Sequence, residues 1–273
     1  MSFVRFLGVA LAAQGLLSAV PALAGDAEVA ALLARKAAII TNMHQKSSKG
    51  LVNFAQDQVF PAYFSAPADQ RKDLKKRIDT TSQTMQATSK VEEMCLIDDK
   101  GQEISRIVGS AIAPDAELSP DEANNSFFKP SFARDPKQVY ITPIYLSPDA
   151  KKWVVAYVTP LAVNGAKVAV LHYEYSLAEF QQALAKDVSG SDLYVLAVDK
   201  DGYVLADSRA PVAIDGKGEK KELADYFTKL PAAAAAVVKA EGEGKGEFAD
   251  GGAKWRVAYK AVQDWAIAVV EKM

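Results

Sequence analysis

Residues 152–157 read KWVVAY, and the pattern returns as KWRVAY at residues 254–259, 102 positions further along the chain. A second pair of stretches has nearly the same separation: IDDKG at residues 97–101 returns as VDKDG at residues 198–202. Two matches in the same order, with almost the same offset, indicate two copies of one structural unit. We therefore expect this chain of 273 residues to contain two modules.

Each copy opens with a pattern that is typical of a β-hairpin. Apolar runs flank an Asp- and Lys-containing turn that ends on Gly101 or Gly202, and glycine readily adopts the positive φ that such a turn needs. Strand-like runs rich in β-branched and aromatic residues follow at residues 139–141, 153–158 and 168–175, and again at 246–248, 255–259 and 265–270. This layout predicts the α+β class, with an antiparallel PAS-like sheet in each module.

The residues before the first hairpin have the spacing of helices. Apolar residues recur at helical intervals from Val29 to Met43, and we expect this helix to continue until Pro61 interrupts it. A second helical stretch follows the possible cap at residues 65–69. The predicted organisation is a signal peptide at 1–24, a long helical stalk at 25–92, a first module at 93–188 and a second module at 189–273.

Residues 1–24 have the pattern of a secretory signal peptide. Arg5 precedes an apolar run, and Ala-Leu-Ala at residues 22–24 is a small-residue cleavage site before Gly25. Cleavage there predicts a periplasmic protein. The alternative is an uncleaved anchor helix, since about 20 apolar residues can span a bilayer. Polar residues and a proline interrupt the run and favour cleavage: Gln14, Ser18 and Pro21.

Composition and motifs argue against several classes of function. The 32 basic and 34 acidic residues nearly balance, which gives no electrostatic reason to expect a nucleic acid or an anionic membrane as partner. Cys95 is the sole cysteine and has apolar neighbours, so we expect a buried side chain. His44 and His172 lack metal-type spacing, and the sequence contains no nucleophile elbow or phosphate-binding glycine loop. We predict no enzymatic activity, no metal and no cofactor.

The residues of the first copy predict a small-molecule pocket. Residues 108–139 lack periodicity but contain phenylalanines, which suggests a lid rather than a disordered loop. Aromatic walls with a few polar groups suit a small ligand, and a carboxylate among aromatic rings suits a cationic or amino group. The alternative is that these aromatic residues belong to the hydrophobic core. Because Trp153 recurs in the second copy, we assign it to structure. The candidate ligand-binding residues are Phe127, Phe128, Tyr140, Tyr145, Tyr157 and Glu174.

The order of these segments resembles the double Cache family, the extracytoplasmic sensor domains of bacterial chemoreceptors and histidine kinases. The residues that carry the resemblance are 139–145, 153–160, 164–165 and 168–177. The resemblance spans the mature chain and implies that the first module is the membrane-distal, ligand-binding one and the second the membrane-proximal one.

The resemblance also implies roles for particular residues. Several family members bind amino acids through an Arg-containing lid motif, a strand tyrosine and an aspartate on the closing strand. Residues 125–128 would take the lid positions, Tyr145 the tyrosine and Glu174 the aspartate. Asn125 stands where the arginine is expected, so Arg134 or Lys129 would have to replace it as partner of a ligand carboxylate. Arg134 is therefore the seventh candidate ligand-binding residue. This difference favours amines, and amino acids or small carboxylates are the alternative ligands.

The resemblance finally implies a partner. Receptors of the family continue into a transmembrane helix and a signalling domain, whereas this sequence ends at Met273. We therefore expect a stand-alone periplasmic protein that presents its ligand state, through lid closure, to a membrane receptor or histidine kinase. The alternative is a structural or protein-interaction module of the cell envelope that binds no small molecule.

Overall fold

The computed structural model describes residues 25–210 and 222–273. The signal peptide predicted at residues 1–24 lies outside these ranges. No helix within them combines the length and the apolar character that crossing a membrane requires. The α-helices of the described ranges are α1 (Asp26–Phe54), α2 (Val59–Ser65), α3 (Ala68–Ser89), α4 (Phe128–Phe132), α5 (Leu177–Ala185) and α6 (Ala232–Ala235).

The first antiparallel sheet belongs to the first copy of the repeat. Its strands are β1 (Glu93–Asp98), β2 (Glu103–Val108), β3 (Ala111–Ile112), β4 (Tyr140–Ile141), β5 (Tyr145–Leu146), β6 (Trp153–Val163) and β7 (Ala166–Ser176). They are ordered β3-β2-β1-β7-β6-β4, and β5 also pairs with β6. The hairpin β1–β2 therefore lies beside the last strand of its own copy.

The second antiparallel sheet repeats this arrangement. Its strands are β8 (Leu193–Asp199), β9 (Val204–Asp207), β10 (Glu243–Asp250), β11 (Ala253–Val262) and β12 (Trp265–Lys272). Their order is β10-β11-β12-β8-β9, so the hairpin β8–β9 again lies beside the last strand of its copy. The strands that carry KWVVAY and KWRVAY, β6 and β11, each pair with that last strand. The sequence repeat is thus a repeat of topology.

The helix α1 packs against both sheets. Val29, Leu32, Ala37 and Ile40 form its buried stripe, because residues three or four positions apart share one side of a helix. The helix contacts β6 of the first sheet, β11 and β12 of the second, and α5 between them. Buried Lys36 donates hydrogen bonds to the carbonyls of Ala183 and Lys186 at the end of α5, where the last carbonyls of a helix have no acceptor role within the helix. The predicted α+β class with a long N-terminal helix is confirmed.

The predicted end of the first helix is wrong. The helix α1 ends at Phe54, and Asp57 then accepts a hydrogen bond from the backbone N–H of Val59, 2.8 Å away, at the start of α2. Pro61 lies in the first turn of α2, where backbone N–H groups have no partner within the helix and proline is tolerated. The residues before the first sheet therefore form three helices, where the sequence predicted two helical stretches.

The two faces of the first sheet pack against different parts of the molecule. Successive side chains of a strand point to opposite faces. Trp153, Val155 and Tyr157 of β6 face the large core that contains α1, whereas Ala156 and Val158 face a smaller cluster with Phe127 and Phe128. The two clusters define a helix face and an outer face of the sheet.

Candidate functional site

A cavity of about 350 Å³ lies on the outer face of the first sheet. The strands β1, β5 and β7 supply its buried wall, and residues 122–127 border it on the other side. Exposed residues at its rim, including Ser126 and Lys151, give access from solvent. The buried polar residues of its lining are Glu93, Cys95, Glu103, Ser147, His172 and Glu174.

The register of β1 and β7 brings four of these side chains together. Glu93 lies directly opposite Glu174, and Cys95 lies directly opposite His172. Residues two positions apart on a strand share a face, and directly opposite Cβ atoms are about 4.5 to 5.5 Å apart. All four residues are buried. We call Glu93, Cys95, His172 and Glu174 the polar quartet.

Hydrogen bonds connect the polar quartet internally and to β5. The hydroxyl of Tyr145 donates to Glu174 Oε1 at 2.5 Å and lies 3.1 Å from His172 Nε2. Cys95 Sγ donates to Glu93 Oε1 at 3.0 Å. Two atoms of the quartet, His172 Nδ1 and Glu174 Oε2, have no hydrogen-bond partner among the described residues although they are buried. Buried polar atoms without partners are uncommon, and a bound ligand or ion is one explanation of them.

Phe127 covers the quartet from the side of residues 122–127. Its ring stacks on the imidazole of His172 with the centroids 4.4 Å apart. The next residue, Phe128, begins α4 and stacks on Phe132, so the aromatic part of the segment is anchored against the sheet. The cavity thus has a carboxylate-rich wall on one side and an aromatic ring on the other.

Burial determines the protonation of the quartet. Loss of solvation raises the pKa of Glu93, and the nearby carboxylate of Glu174 raises it further. The pKa of Glu174 is also raised, again mainly by burial. Burial lowers the pKa of His172 to about 3 and raises that of the Cys95 thiol. The imidazole is therefore neutral at pH 7, and the carboxyl groups resist ionisation unless a positive charge lies beside them.

The cavity is acidic overall. Arg106 forms ion pairs with Glu103 and Asp149 at the edge of the site. Within residues 25–210 and 222–273, no Lys or Arg lies within ion-pair distance of Glu93 or Glu174. A buried carboxylate is stable as an ion only with a cationic partner. The lining contains five carboxyl groups, those of Glu93, Glu103, Glu122, Asp149 and Glu174, and one lysine, Lys151.

The second module has an apolar counterpart of the quartet. In its sheet Tyr194 lies opposite Val270, and Leu196 lies opposite Ala268. The pair Tyr194 and Val270 corresponds to Glu93 and Glu174, and the pair Leu196 and Ala268 corresponds to Cys95 and His172. In each module these pairs join the first hairpin strand to the last strand. They pack against residues of the α6 region in an apolar cluster. The fold therefore does not require polar residues here, and the quartet is a feature of the first module alone.

The structure brings together three of the seven residues predicted for the site, Phe127, Tyr145 and Glu174. Phe128 and Tyr140 pack on the same face of the sheet but beside the cavity rather than in its lining. Arg134 is exposed and has its guanidinium 5.8 Å from the centre of the Tyr140 ring.

Tyr157 lies on the opposite face of the sheet, so its predicted place in the pocket is corrected. Its hydroxyl is 2.7 Å from His44 Nδ1 on α1. The physical reason is the period of a strand: Glu174 pairs with Ala156, and the neighbouring Tyr157 must point the other way. Trp153, assigned to structure, is buried on the same helix face and contacts Tyr226 and Phe227.

Glu93, Cys95 and His172 are not among the site residues predicted from the sequence. Glu93 and Cys95 are separated by a single residue, so their shared face could be read from strand spacing alone. Their approach to His172 depends on the pairing of β1 with β7, which no local spacing reveals. One ligand atom from each of the three residues lies within 4.8 Å of the others, a separation at which they could hold a metal ion.

Comparison with solved structures relates this fold to sensor domains. The ligand-binding domain of the Campylobacter jejuni chemoreceptor Tlp3, in complex with 4-methylisoleucine, matches with a TM-score of 0.70 and 13% identity, over 89% of this chain and 89% of that chain. The V. cholerae histidine kinase DctB sensor domain matches with a TM-score of 0.61 and 14% identity, over 89% and 95%. The domain of a putative sensory box/GGDEF family protein from Vibrio parahaemolyticus matches with a TM-score of 0.66 and 16% identity, over 89% of this chain and 93% of that chain.

No family model and no curated protein matches the sequence. The solved domains are nevertheless similar along almost the whole described chain, and they are sensory domains of chemoreceptors and histidine kinases. The chain therefore has the fold of double Cache sensor domains, which confirms the resemblance found in the sequence.

Proposed function

We propose that this protein is a periplasmic, non-enzymatic sensor module that binds a small positively charged organic ligand in the cavity of its first module. The single observation that carries the proposal is the polar quartet, whose two buried carboxyl groups have no Lys or Arg partner among residues 25–210 and 222–273. A primary amine or the amino group of an amino acid would supply the missing positive charge. Phe127 would contact the apolar part of the ligand.

The comparison between the two modules supports this proposal. The equivalent positions of the second module hold Tyr194, Leu196, Ala268 and Val270, which pack in an apolar cluster, so the fold does not need the carboxyl, thiol and imidazole groups of the first module. Buried polar groups cost stability unless they have partners. Polar groups that are buried at a loss of stability in one module, and replaced by packed apolar side chains in the other, are typical of a binding site. The solved neighbours, which are ligand-binding and sensory domains by name, are consistent with such a role.

We further propose that a membrane-bound chemoreceptor or histidine kinase reads the ligand state and that residues 1–24 are removed on export. The apolar run and the Ala-Leu-Ala site at residues 22–24 support export. Mass spectrometry of the periplasmic fraction tests the second point. The expected mature protein begins at Gly25, and a membrane-bound product beginning at Met1 would contradict cleavage.

A thermal-shift screen of primary alkylamines, amino acids and small carboxylates tests the ligand. A ligand that binds the native state at a hundredfold excess over its dissociation constant stabilises it by about 2.7 kcal/mol. We expect alkylamines or amino acids to raise the melting temperature and Glu174→Gln to abolish the rise. Glu179→Gln, on the exposed side of α5, is the matched control and should keep it.

Two results of the screen would count against the proposal. Stabilisation by carboxylates but not by amines would contradict the positive charge of the ligand. A folded protein that responds to no compound in the panel would favour the alternative of a structural or protein-interaction module.

A further inference from the structure

The polar quartet contains a donor set that no organic amine requires. Glu93, Cys95 and His172 each offer a ligand atom, and these atoms lie within 4.8 Å of one another in the buried wall of the cavity. We propose that this wall is a binding site for a soft divalent metal ion of the Zn²⁺ type, held by Glu93, Cys95 and His172. The inference rests on the proposed function in so far as it uses the same cavity and the same preference for cations.

The sheet fixes the positions of the three donors. Cys95 and His172 form a directly opposite pair, and Glu93 is two residues from Cys95 on the same face of β1. The Cys95 Sγ to Glu93 Oε1 distance is already 3.0 Å. Ligand atoms bound to one zinc ion at about 2.0 to 2.3 Å lie some 3 to 4 Å apart. Side-chain rotations of modest size would therefore bring all three onto one ion without moving the strands.

Glu174 lies beside these three donors. Its Oε1 is 3.9 Å from His172 Nε2, and its Oε2 has no hydrogen-bond partner in the described part of the chain. His172 Nδ1 is likewise without a partner there, and both side chains are more than nine-tenths buried. Two orphaned buried polar atoms beside a thiol are an observation independent of the three-residue cluster. They point to a bound ion.

The chemistry of the donors selects the metal. A thiolate and an imidazole are soft or borderline ligands, which suit Zn²⁺, Co²⁺ or Cu ions. Mg²⁺ and Ca²⁺ prefer sites made of six or more oxygen ligands. Binding would release to solvent the proton of the Cys95 thiol and that of the Glu93 carboxyl group, because the thiolate and the carboxylate are the metal ligands. Exposed Asn125 and Ser126 at the rim leave an entry path for the ion.

The composition of the chain makes the site easy to test by spectroscopy. The chain has one cysteine and two histidines. A charge-transfer absorption from a cysteine thiolate to Co²⁺ can therefore arise from Cys95 alone. His44 is buried on the helix face of the sheet and serves as the matched control for His172.

The experiment titrates the untagged full chain with Co²⁺ and then displaces Co²⁺ with Zn²⁺. We expect a thiolate charge-transfer band that saturates at one ion per chain and disappears on addition of Zn²⁺. Cys95→Ser should abolish the band, and His172→Gln should weaken Co²⁺ binding by about tenfold or more. His44→Gln should leave the charge-transfer band and the affinity for Co²⁺ unchanged. Mg²⁺ and Ca²⁺ should not displace Co²⁺. Circular dichroism of each variant shows whether it is folded.

Several outcomes would overturn the inference. They are the absence of the band in the folded wild-type protein, a band unaffected by His172→Gln, and an affinity for Mg²⁺ equal to that for Zn²⁺. The organic ligand is tested separately, because Cys95→Ser keeps the carboxyl groups that an amine needs. If alkylamines stabilise the protein and Co²⁺ gives no band, the metal inference fails and the proposed function stands. If Co²⁺ gives the band and no alkylamine stabilises the protein, the metal site is supported and the proposed organic ligand is contradicted.

Discussion

Single residues at two positions connect the sheet of the first module to its surroundings. On the outer face, Glu174 accepts a hydrogen bond from the hydroxyl of Tyr145. This bond fixes one carboxyl oxygen and leaves the other without a partner among the described residues. On the helix face, His44 contacts Tyr157 and packs its ring against Phe180 and Trp265. His44 thus lies where α1, α5 and both sheets meet.

The protonation of His44 should affect stability. Burial lowers its pKa to about 4, from an ordinary value of 6.5. In this pH interval the unfolded chain binds a proton that the native state does not, so the native state loses stability as pH falls from about 6.5 towards 4. The loss from this residue reaches roughly 3 kcal/mol, at 1.36 kcal/mol for each unit of pKa difference.

Urea denaturation at several pH values measures this effect. His44→Gln should be less sensitive to pH than the wild type between pH 6.5 and 4. Part of the dependence should remain, because burial lowers the pKa of His172 as well. A variant with the wild-type pH profile would contradict the prediction, because it would show that the pKa of His44 is the same in the native and the unfolded state.

At the scale of the elements, the hairpin turns differ although their sequences match. Gly101 and Gly202 both have positive φ, 90° and 85°. A Cβ atom on Gly101 would lie 2.5 Å from the backbone nitrogen of Ala123, whereas a Cβ on Gly202 would meet nothing within 4 Å. The carbonyl of Gly101 also accepts a hydrogen bond from the N–H of Glu122. The first turn therefore supports the segment that covers the cavity.

Replacement of these glycines should separate backbone strain from this contact. Gly202→Ala should cost roughly 1 to 2 kcal/mol of stability, the cost of left-handed backbone in a residue with a Cβ. Gly101→Ala should cost roughly 1 to 3 kcal/mol more, because Ala123 must move. It should also weaken ligand binding, since the displaced segment leads to Phe127. Chemical denaturation and ligand titration of both variants measure these effects. Equal losses in the two variants would show that the contact with Ala123 is unimportant.

At the scale of the molecule, the two modules share one core. The large cluster includes Tyr157 and Tyr173 from the first sheet together with Trp265 and Ile267 from the second. Direct ring contacts cross between the modules, among them Trp153 with Phe227 at 4.9 Å between centroids. A movement of the first sheet on ligand binding would therefore also displace residues of the second module and of α1.

This shared core predicts that the protein unfolds in a single cooperative transition. A common apolar core makes partial unfolding costly, because opening one module would expose the apolar surface of the other. The three tryptophans, two of them in the second module, report on both modules by fluorescence. We expect fluorescence and circular dichroism to give one coincident transition in urea. Two separated transitions would show that the modules are stable independently of each other.

The sequence by itself determined the architecture. The repeated KWxVAY and Asp-Lys-Gly patterns predicted two copies of one antiparallel unit, and hydrophobic periodicity predicted the N-terminal helices. It also placed Phe127, Tyr145 and Glu174 in one pocket. These features depend on local spacing or on similarity between segments, which the chain displays directly. The module boundaries at residues 93, 189 and 273 stay predictions.

Only the tertiary structure decided which residues form the site. The pairing of β1 with β7 brings Cys95 to His172 and Glu93 to Glu174. The same alternation of side chains sends Tyr157 to the helix face and away from the pocket. The reason is that a strand has two faces and can pair with any other strand. A shift of register by one residue would exchange all the side chains between the faces, and packing of the whole sheet selects one register.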